Sequence, residues 1–231
     1  MRIRDLRVPV EGGPVSGLLL SPPDARALLV FGHGAGVGMR HHFMEECARR
    51  LADRGVATLR YHFPYAERGS RRPDPQPLLL ATVRAVAAEA GRVAPELPRF
   101  LGGKSMGGRM SSLAISQQPM PEVRGLVFFG FPLHRPGAPD ASRAEHLDRV
   151  VPPMLFLQGD RDQLAALDLL RPVATGARRT LHVIQGADHG FHMLKRSGRD
   201  DPSVLDELAD VCSDWMLRQI EPNRTTASFI P

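Results

Sequence analysis

Lysine is nearly missing from this chain. Only Lys104 and Lys195 occur in 231 residues, and the rest of the 30 basic residues are arginine. Against 25 acidic residues this leaves a net charge of +5. Such a balance can mark a nucleic-acid binder. The arginines are scattered, however, apart from pairs such as Arg49–Arg50, Arg71–Arg72 and Arg178–Arg179. We read the excess as compositional bias and expect no nucleic-acid partner. Cysteine is also scarce. Cys47 and Cys212 are far apart and form no CxxC motif, which excludes a disulfide scaffold and fits a reducing, cytoplasmic setting. No apolar run approaches the roughly 20 residues that cross a bilayer. The first residues lack the apolar core of a signal peptide, so no membrane partner is expected. His41 and His42 stand side by side without further ligands at useful spacing, so neither a metal site nor a cofactor is expected.

What is present is an alternation. Two leading segments, 3–10 and 15–20, flank Glu11-Gly12-Gly13-Pro14 and read as an antiparallel hairpin. The run 27–31 (ALLVF) is apolar throughout, as in strands buried on both faces. Further strands are expected at 56–61, 100–103, 126–129, 154–158 and 181–185. Helices are expected at 42–54, 78–93, 106–117, 164–174 and 203–219, with Gly55 ending the first. The pattern predicts one domain over 1–220: a mostly parallel, eight-stranded sheet with helices on both faces. Residues 221–231 carry no pattern and read as a tail. In such sheets ligands bind beyond the carboxyl ends of the strands.

The chemistry sits in the loops after those strands. Gly103-Lys104-Ser105-Met106-Gly107 reads G-x-S-x-G between a strand and a helix, the signature of a nucleophile elbow. The glycines leave room for a strained turn that presents Ser105. A phosphate-binding P-loop is excluded, because its first glycine would fall on Pro98. A serine hydroxyl needs a base. His189, in Gly186-Ala187-Asp188-His189-Gly190 after the last strand, is placed for that role, with His192 as competitor. The acid should follow the preceding strand. Gly159-Asp160-Arg161-Asp162 offers two, of which Asp162 has the longer reach and Asp160 is the alternative. Asp188 is expected to brace its own loop. Backbone N–H groups should hold the oxyanion: Met106 after the nucleophile, and Ala35, or else Gly36, in the loop His33-Gly34-Ala35-Gly36. His33 itself is expected to hold that loop.

With HGAG, GKSMG, GDRD and GADH in this order after successive strands, the chain resembles the α/β-hydrolase superfamily in its dienelactone-hydrolase-like branch. Within it, the chain is similar to a small group with three blocks: HGAG, Phe63-Pro64-Tyr65, and GGKSMGGR over 102–109. That group includes animal testis-expressed proteins and a histone-acetylating-complex subunit. Dienelactone hydrolases usually carry cysteine where this chain has Ser105. The resemblance implies the fold and a Ser105–Asp162–His189 triad.

The span between the sixth and seventh strands is short, so an open site without a large lid is expected. The loop 62–77 should hang over the same sheet edge, with Tyr65 and Arg72 as candidate substrate contacts. The expected activity is cleavage of a small carboxylic ester or thioester through an acyl-enzyme, by a monomer or homodimer. The rivals are a non-catalytic scaffold of the same fold, or an acyltransferase using the same triad.

Overall fold

The computed structural model describes residues 1–221; the expected tail lies, but for Glu221, outside the described residues. Eight strands form one sheet: β1 Arg2–Val8, β2 Val15–Ser21, β3 Ala27–Gly32, β4 Val56–Tyr61, β5 Arg99–Lys104, β6 Val123–Phe129, β7 Met154–Gly159 and β8 Arg179–Ile184. Their order across the sheet is β1-β2-β4-β3-β5-β6-β7-β8. The β1–β2 and β2–β4 pairs are antiparallel and all others are parallel. The leading hairpin thus caps one edge, while β3 and β5 lie at the centre where the crossovers diverge.

Among the described residues, five α-helices lie between strands, α1 His42–Ala52, α2 Pro64–Glu67, α3 Gln76–Val93, α4 Met106–Gln117 and α5 Leu167–Ala174, and α6 Asp201–Ile220 follows β8. Alternate residues of each central strand feed opposite faces. Val30, Leu101, Phe128 and Phe156 pack with Leu79 and Val83 of α3 and Met110 and Leu113 of α4. Leu29, Phe31, Phe100, Val127 and Phe129 pack with Phe43 and Leu51 of α1 and Leu208 and Trp215 of α6. Each fully buried aromatic or aliphatic side chain contributes about 1.5–3 kcal/mol of transfer free energy. Two apolar layers therefore clamp the sheet. Cys47 and Cys212 are buried, free thiols in the second layer.

Most boundaries follow the pattern of the sequence, and two differ for local reasons. The helix expected from 164 begins at Leu167. The Leu164 N–H donates to Asp162 Oδ1 (2.7 Å) and the Ala166 N–H to His134 Nε2 (2.9 Å), so those residues hold loops before the helix can start. The loop expected over 62–77 opens with one helical turn, α2, with Pro64 at its first position, where a missing N–H costs nothing. Between β6 and β7 a 3₁₀-helix covers Ser142–Arg149, and no large lid is built there.

Helix α2 is tied to the hairpin edge by one carboxylate. Glu67 accepts from the Ser16 N–H (2.9 Å), Ser16 Oγ (3.0 Å) and Arg7 Nη1 (2.5 Å), and faces His62 Nδ1 at 3.2 Å. Burial raises its pKa, but these donors outweigh it and hold the carboxyl down at about 2. An unfolded Glu titrates near about 4.3. The depressed folded value means that this stabilisation is complete above the unfolded pKa and is lost as pH falls toward 2. Glu67→Gln is expected to unfold at lower temperature than wild type at pH 7, by about 1.5–3 kcal/mol of stability. The two proteins should converge as pH is lowered to about 2, read by thermal melts across pH.

Candidate active site

The elbow is built by an almost absent linker. Strand β5 ends at Lys104 and helix α4 starts at Met106, so Ser105 alone makes the turn. Its backbone sits at φ 50°, ψ −114°, a strained region for a residue with a side chain. The Ser105 N–H donates to Phe129 O (3.1 Å), and its carbonyl accepts from Arg109 N–H (3.1 Å), which hold the turn from both sides. A Cβ on Gly103 or on Gly107 would lie 2.2 Å from the Gly32 carbonyl oxygen. Helix α4 therefore reaches the end of β3 only because those two positions lack side chains.

Around this serine the chain brings together three side chains that are distant in sequence. His189 Nε2 lies 2.9 Å from Ser105 Oγ, and His189 Nδ1 lies 2.6 Å from Asp162 Oδ2. An ionised carboxylate only accepts, so Nδ1 carries the proton and Nε2 is free to accept from the serine hydroxyl. Asp162 is buried at the exit of β7. Its Oδ1 accepts from Leu164 N–H, and its Oδ2 accepts a second bond from Gln158 Nε2 at 2.5 Å. Gln158 is fixed in turn because its Oε1 accepts from Phe131 N–H (3.0 Å).

The alternatives have other partners. Asp160 Oδ1 accepts from Gly186 N–H (2.7 Å) and ties the β7 loop to the β8 loop. His192 Nδ1 is 2.7 Å from Asp201 Oδ2, and its side chain is exposed. Asp188 Oδ1 accepts from the Gly190 and His192 N–H groups (2.8 and 2.9 Å), bracing its own loop.

Ala35 borders the crevice together with Ser105. Met106 opens α4, so its N–H belongs to the first-turn donors that have no acceptor within the helix. His33 is buried behind this loop. Its Nε2 accepts from the Phe63 N–H (3.2 Å), and its Nδ1 is 2.8 Å from the Gly34 carbonyl. Burial lowers its pKa to about 4, so the ring stays neutral. Tyr65 and Arg72, the expected substrate contacts, are not among the residues that line the crevice. Tyr65 is fully buried because the α2 turn folds it inward, and its hydroxyl donates to Gly34 O (3.2 Å). Arg72 is exposed on a bend beyond α2.

The crevice has a volume of about 380 Å³. Its apolar wall is made by Val37, Phe43, Met44, Leu164, Phe191 and Leu205. Phe43 and Phe191 stack with ring centroids 5.7 Å apart. Phe191 takes φ 65°, a conformation costly for a bulky side chain, and this turn directs its ring against Phe43. Lys104 borders the same space. Its Nζ donates to the His189 carbonyl (2.5 Å) and lies 5.3 Å from the Phe191 ring and 5.7 Å from the Phe43 ring. Desolvation lowers its pKa to about 8, against the opposing pull of Asp162 and Asp188. A second cavity, of about 550 Å³, is bordered by Arg2, Arg4, Val93 and Glu96. It lies by the start of β5, at the end of the sheet opposite the elbow.

Two residues of the site escaped the sequence reading. Gln158 looked like the last residue of a strand, and only its position four residues before Asp162 hinted at a partner. Lys104 drew notice only as part of a spurious phosphate loop. Among the described residues no group of three metal-binding side chains occurs, and no helix is long and apolar enough to cross a membrane.

A sequence profile of the alpha/beta hydrolase domain matches residues 25–217. The chain belongs to the alpha/beta hydrolase family. Among curated proteins it is 29% identical over 224 residues to a Mycobacterium tuberculosis (strain H37Rv) protein named "Putative phosphoribosyl transferase", covering 93% of this chain and 46% of that one. The chain thus spans about half the length of the curated relatives it matches. Among solved structures it is similar to a dienelactone hydrolase from Anabaena variabilis, with a TM-score of 0.75 at 21% identity, covering 94% of this chain and 97% of that one. It is also similar to an α/β serine hydrolase without lid from Xanthomonas campestris, with a TM-score of 0.69 at 20% identity over 93% and 95%. These likenesses show the alpha/beta hydrolase fold.

Gln158→Leu would leave the Phe131 N–H without its acceptor and Asp162 without one donor, both in the interior. We expect a loss of about 1–3 kcal/mol in stability. We also expect kcat to fall about 10- to 100-fold from misplacement of the acid, with KM little changed. Melting temperature and steady-state kinetics on a chromogenic ester check both.

Proposed function

We propose that this alpha/beta hydrolase cleaves a small carboxylic ester or thioester through an acyl-enzyme intermediate. The observation that carries this reading is the continuous chain Ser105 Oγ–His189 Nε2 (2.9 Å) and His189 Nδ1–Asp162 Oδ2 (2.6 Å) at the carboxyl ends of the strands. Ser105 Oγ attacks the carbonyl carbon while His189 Nε2 takes its proton. The buried Asp162 carboxylate stabilises the imidazolium that forms. The N–H groups of Met106 and Ala35 accommodate the negative oxygen of the tetrahedral intermediate. His189 then gives its proton to the leaving group, activates water, and the acid is released.

The apolar wall of the crevice supports an apolar acyl or leaving group of modest size, and the absence of a large lid supports small, freely diffusing esters. The two free, buried cysteines support a reducing, cytoplasmic setting. In this reading the chain acts as a monomer or homodimer on a small molecule. Arg72 remains a candidate only for a substrate long enough to extend over the rim.

Ser105→Ala is expected to abolish turnover of p-nitrophenyl esters and labelling by a fluorophosphonate. Asp162→Asn should lower kcat on the order of 10⁴-fold. Equal background rates for wild type and Ser105→Ala would favour a scaffold. Product partition toward added alcohols or amines over water would favour an acyltransferase. Across a series of straight-chain acyl esters, kcat/KM should rise about three- to fourfold per added methylene until the crevice is filled. A flat series would count against the apolar wall as the acyl site.

A further inference from the structure

The Phe63-Pro64-Tyr65 block has no part in the reaction just described, yet all three residues are buried beside its oxyanion loop. Its contacts there are specific. The Phe63 N–H donates to His33 Nε2, which leaves His33 Nδ1 to carry the ring proton and to donate it to Gly34 O at 2.8 Å. Tyr65 supplies a second donor to that same carbonyl oxygen, at 3.2 Å. The rings pack to match: His33 lies edge-on to Phe63 and Tyr65 at 5.1 and 5.8 Å, and Phe63 stacks with Tyr65 at 6.4 Å. Two donors from two elements thus hold one backbone carbonyl toward the interior.

The consequence follows from the planar peptide. No peptide bond among the described residues is cis. In a trans peptide the C=O and the N–H point in opposite directions. Gly34 O is drawn inward by His33 and Tyr65, so the N–H of the same peptide unit, that of Ala35, is turned outward. Ala35 borders the crevice next to Ser105. Two neutral donors also polarise the peptide in the direction that makes its N–H a better donor.

We propose that the Phe63-Pro64-Tyr65 segment is a clamp that aims the Ala35 N–H at the reacting oxygen, with Tyr65 as a positioning residue that acts through the Gly34 carbonyl and never touches substrate. This rests on the hydrolase reading above and deepens it. Pro64 starts the α2 turn that carries Tyr65 inward, and Glu67 at the end of that turn anchors it to the hairpin edge. A donor that is well aimed only at the transition-state oxygen should affect kcat and leave ground-state binding alone.

The test is Tyr65→Phe, which keeps the ring and removes the second donor. Rates are normalised to competent sites by titration with a fluorophosphonate, so any loss of folded protein is counted separately. On a p-nitrophenyl ester, kcat per site should fall about 10- to 100-fold, with KM within about twofold. The inhibition constant of a trifluoromethyl ketone, whose adduct with Ser105 carries an oxyanion, should weaken by the same factor. Unchanged kcat and ketone affinity per titrated site would overturn the clamp, as would a fall in kcat that the ketone affinity does not follow. If Ser105→Ala is inactive while Tyr65→Phe behaves as wild type, the clamp fails and the hydrolase reading stands. If Ser105→Ala turns over like wild type, both fail.

Discussion

The contact on which the site depends is a backbone against a backbone. The carbonyl of Gly32, at the end of the central strand β3, occupies the space that a Cβ on Gly103 or Gly107 would take. Two parallel strands and the start of a helix meet there without side chains between them. This close approach sets the nucleophile turn, the first N–H groups of α4 and the loop after β3 within one small volume. A side chain at either glycine would push the helix start away from β3 and widen the gap between the Met106 N–H and the loop after β3. The strain at Ser105 belongs to the same constraint, since a relaxed turn would need more residues between β5 and α4.

Given that volume, the site is arranged largely through carbonyl oxygens. Gly34 O receives His33 and Tyr65, and His189 O receives the Lys104 ammonium. Backbone carbonyls are attractive anchors because each has two lone pairs and is fixed to a rigid plane, so holding the oxygen orients the whole peptide. Side chains that do this work lie behind the reacting groups. Lys104 holds the loop of the base from below, with its charge resting between the Phe43 and Phe191 rings. Gln158 does the same for the acid. Ser105, Asp162 and His189 sit in front, each just past the carboxyl end of a strand.

That division explains what could be read from the sequence. The strands of the central sheet were legible because each is an apolar run between turn residues, and Ser105, Asp162 and His189 stand in the chain order this fold imposes. Helix α4 matched residue for residue because a glycine-rich turn and an apolar period mark it. Of the supporting residues, His33 and Asp188 were legible from the loops that contain them, whereas Tyr65, Gln158 and Lys104 were not, because nothing in their neighbours in sequence distinguishes them. Tyr65 has the composition of a loop contact, and its inward turn depends on α2 packing against the sheet. Gln158 reads as the end of a strand until Phe131 arrives from β6 to orient its amide. The delayed start of α5 has a related origin: Ala166 answers to His134, 32 residues away, while Leu164 is held by a carboxylate, Asp162, that is itself fixed from elsewhere in the fold.

The charges follow a rule that the geometry makes necessary. In the proposed reaction, the groups that hold the Gly34–Ala35 peptide must keep their hydrogens while His189 gains and loses one. Burial keeps the His33 ring neutral down to about pH 4, so its Nε2 goes on accepting from Phe63 and its Nδ1 goes on donating to Gly34. Burial also raises the Tyr65 phenol to about 12, so it remains a donor far above neutrality. Lys104 gives up its charge near pH 8 but keeps N–H donors for the His189 carbonyl as a neutral amine. Each supporting bond therefore survives across the range in which a histidine base changes its charge. Desolvation, which makes buried ionisable groups costly, here keeps a donor on the Gly34 and His189 carbonyls across that range.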